Sequence, residues 1–203
     1  MNKSFHRFVA AAVLGICASC TTVAPPPPTA SIATQEDAYI LIGTSEEDYE
    51  YQFAIVRGNI DQDKFSVPHH FGDPPAYGPG VDGFIILKAE SQATLGVGSV
   101  EILIKGTHLT ALSFAPCKST LVFTPQAGKV VYVGTVDLSD KRVEGYLLPG
   151  LATSVRFDAT AAKAFLDKHY PALSDKLVQG IARQLPISGG ECRPDYYTPF
   201  GEP

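Results

Sequence analysis

Between Leu121 and Leu138 the chain reads LVFTPQAGKVVYVGTVDL, two apolar runs that meet at Pro125-Gln126-Ala127-Gly128. In the first run Leu121 and Phe123 alternate with Val122 and Thr124; in the second, Val131, Val133 and Val136 crowd around Tyr132. β-Branched and aromatic side chains at this density favour a pleated surface over a helix. Pro125 lacks the N–H that a strand ladder needs, so the first strand must end near Thr124, and Gly128 tolerates the turn that follows. The spacing predicts a β-hairpin with residues 126–129 as its connection, and the rest of the chain has to be compatible with it.

The same signals recur elsewhere. Strands are predicted over 38–44, 51–58, 83–88, 99–105, 107–114, 143–148 and 153–157. They are separated by an acidic loop at 45–50, by a loop-like run at 59–82 with a short apolar segment at 65–67, and by glycines at 96, 98 and 106. Many short strands with turn residues between them indicate an all-β sandwich or barrel. After Asp158 the period changes. Ala162, Phe165, Leu166, His169 and Tyr170 fall on one face of a helix that Asp158 caps and Pro171 stops. A second helical segment is expected from 172 to 182, with Leu173, Leu177 and Ile181 on one side, and residues 185–203 read as an irregular tail. The expected fold is mainly β: an antiparallel β-sandwich with one or two C-terminal helices packed on it.

At 203 residues, 45% hydrophobic and 18% charged, the chain suits one domain with a substantial core and excludes a largely disordered protein. The first residues are different in kind. Lys3 and Arg7 precede ten apolar residues from Phe8 to Cys17, a run too short to cross ~30 Å of hydrocarbon and followed at once by small residues, which is the pattern of a secretion signal. Its removal leaves 14 basic against 21 acidic residues, and an acidic surface with no basic run is a poor partner for nucleic acid.

The end of that run, Ile16-Cys17-Ala18-Ser19-Cys20, resembles the lipobox of bacterial lipoproteins, with Cys20 as the matching cysteine. The resemblance implies cleavage before Cys20, three acyl chains on that residue, and attachment to a membrane without a spanning helix. Thr21, where such proteins carry Asp for inner-membrane retention, implies the outer membrane with the body in the periplasm. Residues 1–19 are then the signal peptide and 20–36 a lipidated, proline-rich tether. Its TTVAPPPPTASIATQE sequence, taken as extended polyproline II at ~3.1 Å per residue, reaches up to roughly 50 Å. The β-sandwich occupies 37–158, and 159–203 supplies the helical segment and tail of the same domain. The Pro-x-x-Gly-Lys-Val-x-Tyr-Val-Gly arm from Pro125 to Gly134 resembles small, uncharacterised β-sandwich lipoproteins of bacterial envelopes, a likeness that concerns fold and says almost nothing of function.

With Cys17 removed and Cys20 lipidated, Cys117 and Cys192 remain in an oxidising compartment and are expected to form a disulfide. His69, His70 and Asp73 in the long loop have the ligand chemistry of a zinc site. Against that, adjacent histidines on an extended chain point apart, and an ordinary hydrated loop is the stronger reading. Asp61 and Asp63, and the acids at 46–50, are read as solvated in the same way. Gly96-Val97-Gly98-Ser99 lacks the lysine of a phosphate loop, and none of Ser45, Ser99 and Ser154 lies in a Gly-x-Ser-x-Gly elbow. No cofactor is expected. The expected function is a membrane-anchored, non-catalytic envelope module that binds a protein or serves structurally. The alternatives are a small-molecule or sugar binder and, behind it, a hydrolase using the His69/His70 loop.

Overall fold

The computed structural model describes residues 22–34, 36–44, 50–67, 76–77, 80–104, 107–113, 119–136, 142–143, 146–147 and 155–188. In chain order the first strands are β1 (Thr22–Val23), β2 (Asp37–Thr44), β3 (Glu50–Arg57), β4 (Asn59–Asp61), β5 (Lys64–Ser66), β6 (Ala76–Tyr77), β7 (Phe84–Glu90) and β8 (Leu95–Ile104). Then follow β9 (Thr107–Ser113), β10 (Ser119–Phe123), β11 (Val130–Val136), β12 (Arg142–Val143), β13 (Tyr146–Leu147) and β14 (Val155–Arg156). Helices α1 (Ala159–His169) and α2 (Pro171–Ser174) precede β15 (Leu177–Gln179) and β16 (Arg183–Pro186).

The protein is mainly β. A seven-stranded sheet runs in the order β1-β6-β3-β8-β10-β16, with β9 also on β8; a five-stranded sheet runs β14-β11-β2-β7, with β15 also on β11. Ile40, Ile42, Ile85, Leu87, Val131 and Val133 of the smaller sheet meet Phe53, Ile55, Val97, Val100, Leu121 and Phe123 of the larger one in a shared core, which makes the pair a sandwich. A helix covers the outside. Tyr39, Leu41, Ile86, Val130 and Tyr132, pointing away from that core, pack against Ala162, Phe165, Leu166 and Leu173. The alternation of side chains along each strand therefore feeds two cores from one sheet.

Both strands of the 121–138 segment form, but they do not pair with each other. β10 bonds to β8 and β16, β11 to β2, β14 and β15, so the Pro125–Gly128 turn carries the chain from one sheet to the other. The turn's polar groups are used elsewhere. The Gln92 N–H donates to the Pro125 carbonyl at 2.9 Å, and the Gly128 N–H to the Asp37 carbonyl at 2.9 Å. Because both faces of the smaller sheet are buried, Leu121/Phe123 and Val131/Val133 gain more by facing each other across the core than by lying side by side in a hairpin.

Pairing in the seven-stranded sheet is antiparallel except at its β1–β6 edge, whereas β11 lies parallel to β2 and to β15. Parallel strands occur where both faces are covered and then read as continuous apolar runs. The sequences AYILIG and VVYV have that character, and every residue from Ala38 to Gly43 is buried.

Several other segments differ from expectation. The helix predicted over 172–182 is one turn, α2, followed by β15, which takes the free side of β11 next to Val130–Tyr132. Edge hydrogen bonds outweighed a weak helical period, and Ile181, expected on a buried stripe, is 80% exposed. Within the run read as loop, β4 and β5 form a hairpin whose turn residues Gln62 and Asp63 both have positive φ, the geometry of a type I′ turn without its usual Asn-Gly signal. Residues of the tail form β16, paired antiparallel with β10. The segment expected to be a free tether meets the body twice: β1 pairs with β6, and the proline run ends in a turn, Ala30 N–H to Pro27 carbonyl at 2.8 Å, that buries Ala30 among the helix-side core residues.

Helix α1 forms as its sequence indicates. Asp158 accepts a hydrogen bond from the Ala161 N–H at 2.9 Å, Ala162, Phe165 and Leu166 are buried, and Lys168 and His169 stand in the last turn, where the helix dipole favours cations.

Candidate functional site: a cavity over Tyr132

Between the start of α1, the end of α2 and β15 lies a cavity of about 360 Å³, lined by Tyr132, Ala159, Lys163, Ser174, Asp175, Leu177, Val178 and Gln179. Its floor is Tyr132, 1% exposed, whose hydroxyl shares a 2.8 Å hydrogen bond with Thr135 Oγ1 and accepts the Asp158 N–H at 3.4 Å. The Tyr132 hydroxyl thus has two partners within the fold, Thr135 and the Asp158 backbone. Ala159 keeps one wall low because its side chain is a single methyl.

The polar wall is a small network. Lys163 Nζ donates to Ser174 Oγ at 2.7 Å and to Asp167 Oδ1 at 3.2 Å, and the Ser174 hydroxyl in turn donates to Asp167. The Ser174 bond, then the Lys163 bond, holds the Asp167 carboxyl below its ordinary pKa. Asp175 Oδ1 stands 3.9 Å from Lys163 Nζ. Ser174 is 5% exposed, and both its donor and acceptor capacities are in use. These bonds brace α2 against α1.

A second polar cluster joins the β7 turn to the end of α1. Asp82 and Gly83 both have positive φ in the tight turn closed by Val81 and Phe84, and Asp82 Oδ2 accepts from Lys168 Nζ at 2.5 Å and from His169 Nε2 at 2.7 Å. Phe84 stacks on Phe165 at 4.9 Å beneath it, and Phe165 lies 5.0 Å from the His169 ring. Hydrogen bonds from Lys168, then His169, hold the Asp82 carboxyl below its ordinary value of 3.8. A group depressed in this way stabilises the fold above the unfolded pKa and ceases to do so as the pH falls through the folded one. The stability that Asp82 contributes relative to Asp82→Asn is therefore expected to be present above the ordinary aspartate range and to be lost as the pH falls through it and below. Urea midpoints measured against pH check this; a difference that persists well below that range would contradict it.

None of these residues is one that sequence reasoning singled out as a site. Cys20, Cys117, Cys192, His69, His70 and Asp73 all lie outside the described residues, as does the acidic run 45–49. Asp61 and Asp63 fall on the β4–β5 hairpin, with Asp63 accepting from Arg183 at 2.7 Å, a tie between that hairpin and β16. His169, read in the sequence only as part of the α1 stripe, is the partner of Asp82. Among the described residues no group of three His, Cys, Asp or Glu side chains could hold a metal ion, and no helix is long and apolar enough to cross a membrane. A scan against protein-family models and searches of curated proteins and of solved structures return no match to this chain.

Proposed function

We propose that this chain is a bacterial envelope lipoprotein, anchored by acyl groups on Cys20 in the outer membrane with its body in the periplasm, and that the body is a non-catalytic module for protein binding or envelope structure. The observation that carries this is the N-terminal order of Lys3 and Arg7, ten apolar residues, Ala18-Ser19 and then Cys20. Support for proximity to the membrane comes from β1, which pairs with β6 only two residues beyond Cys20, a reach of roughly 7 Å at full extension. In this reading the β1–β6 edge of the larger sheet lies next to the lipid, and the proline run, instead of holding the body at a distance, leads the chain along it toward Ala30.

The test is mass spectrometry of the protein from envelope membranes, with Cys20→Ala alongside. The expected N-terminus is a triacylated Cys20, and the variant should leave the membrane fraction almost completely, since each buried methylene contributes ~0.8 kcal/mol and those chains are the anchor. A different cleavage position, or undiminished membrane retention of the variant, would end the lipoprotein reading. The same peptides mapped without reduction test the Cys117–Cys192 bridge, for which free thiols at both positions are the contrary result. The cavity over Tyr132 favours a second reading, a binder of a small molecule or sugar.

A further inference from the structure

We infer that the cavity between α1, α2 and β15 is a binding site for a neutral sugar ring; this rests on the binder reading of that cavity and specifies what it takes. At about 360 Å³ it falls within the size range of small-molecule sites and admits a single ring. Its polar groups favour a ligand that both donates and accepts. Lys163 Nζ and Asp175 Oδ1 are 3.9 Å apart, too far for a direct hydrogen bond, and a single hydroxyl oxygen about 2.8 Å from each would bridge them, accepting from the ammonium and donating to the carboxylate.

The Asp175 side chain is 95% exposed and, among the described residues, has no other polar partner; the Gln179 side-chain amide on the same rim has none. Gln179 offers one donor and one acceptor to a neighbouring hydroxyl, which is how an amide reads a vicinal diol. Beneath them Leu177, on the helix-facing side of β15, presents apolar surface to the C–H face of a ring.

Charge argues against the alternatives. One ammonium, Lys163, faces two carboxylates, Asp167 and Asp175, so an anionic ligand meets net repulsion. A cationic ligand entering the gap would have to sit beside the Lys163 ammonium. An uncharged polyol meets neither penalty, and Ser174, which fixes Lys163 from the buried side, holds the donor in place before the ligand arrives.

The experiment is a titration of the isotope-labelled full chain, followed by amide chemical shifts, with four probes: glucose, N-acetylglucosamine, glucuronate and glucosamine. The expected result is saturable shifts at residues 159–163 and 175–180 for the two neutral sugars, with dissociation constants near 1 mM or about tenfold higher. Asp175→Ala and Gln179→Ala, both changes at exposed positions, should each weaken binding about five- to tenfold while the remaining spectrum is unchanged. Tighter binding of glucuronate or glucosamine at these residues would overturn the neutral-sugar assignment and leave the binder reading standing. Absence of saturable shifts from all four probes, or unaltered affinity in both variants, would overturn the assignment outright.

Discussion

Replacing Phe65 by Ala is expected to lower stability by about 3–5 kcal/mol, the cost of removing a large, fully buried aromatic side chain from a site that cannot collapse around the loss. Phe65 is 0% exposed on the outer face of the seven-stranded sheet, where it packs with Val122 and Leu185. It seals the face of that sheet that the sandwich core does not use. The seat for its ring is made by absent side chains: a Cβ at Gly96 would lie 2.5 Å from Phe65 Cε1 and 2.7 Å from its Cζ. Gly96, which reads in the sequence as punctuation between strands, is inside β8 and is there because the ring needs the space. Two consequences can be measured by urea unfolding. Gly96→Ala alone should be destabilising, and in the Phe65→Ala background the same change should cost far less, since the two positions share one volume. Additive effects, or a loss below about 1 kcal/mol for Phe65→Ala, would show that the hairpin carrying Phe65 is not part of the cooperative fold.

Gly134→Val is expected to be at least as damaging, with a loss of about 3 kcal/mol or more and a large share of the protein unfolded or insoluble. Gly134 sits at φ 114°, where side chains are strained, and it marks the irregularity in the β11–β2 pairing between Tyr132 and Gly134. A side chain there would run into Val155 Cγ1 and come within 3.2 Å of the Arg156 carbonyl oxygen on β14. This bulge shifts the partners of β11 by one residue, so that β15 can pair at Val130–Tyr132 and β14 at Thr135–Val136 on the same side. The strand positions, the helix α1 anchor and the cavity all depend on that arrangement. Thermal unfolding of Gly134→Ala, the milder change, should show a clear drop in midpoint; a midpoint equal to that of the unmodified protein would show that the backbone relaxes freely and that the bulge is not constrained.

The candidate site was much less legible than the fold. Lys163, Ser174, Asp175 and Gln179 lie within segments read as two helices, and at their spacing no periodicity brings them together. Only the substitution of β15 for the second half of the expected helix turns Gln179 toward Lys163 and opens the space above Tyr132. The Asp82–His169 contact had a partial signal, since Asp82-Gly83 is a strong turn dipeptide and His169 follows the apolar stripe of α1, but sequence alone places neither relative to the other across 87 positions. The residues that did attract notice for their chemistry stood out because of their type, and type says nothing about convergence.

What the sequence determined by itself is the local register of structure. β-Branched and aromatic runs specify β2, β3, β7, β10 and β11, and the Asp158 cap with Ala162, Phe165 and Leu166 specifies α1, because each depends on interactions within a few residues of the chain. What the tertiary structure decided is partnership. A strand's propensity is the same whichever neighbour it takes, so the pairing of β11 with β2 and not β10, the parallel direction of that pair, the conversion of 177–179 from helix to edge strand and the docking of Ala30 were settled by burial of both sheet faces at once. The cavity follows from the same cause, as the space left where a short helix, an edge strand and a small residue, Ala159, meet over one buried tyrosine.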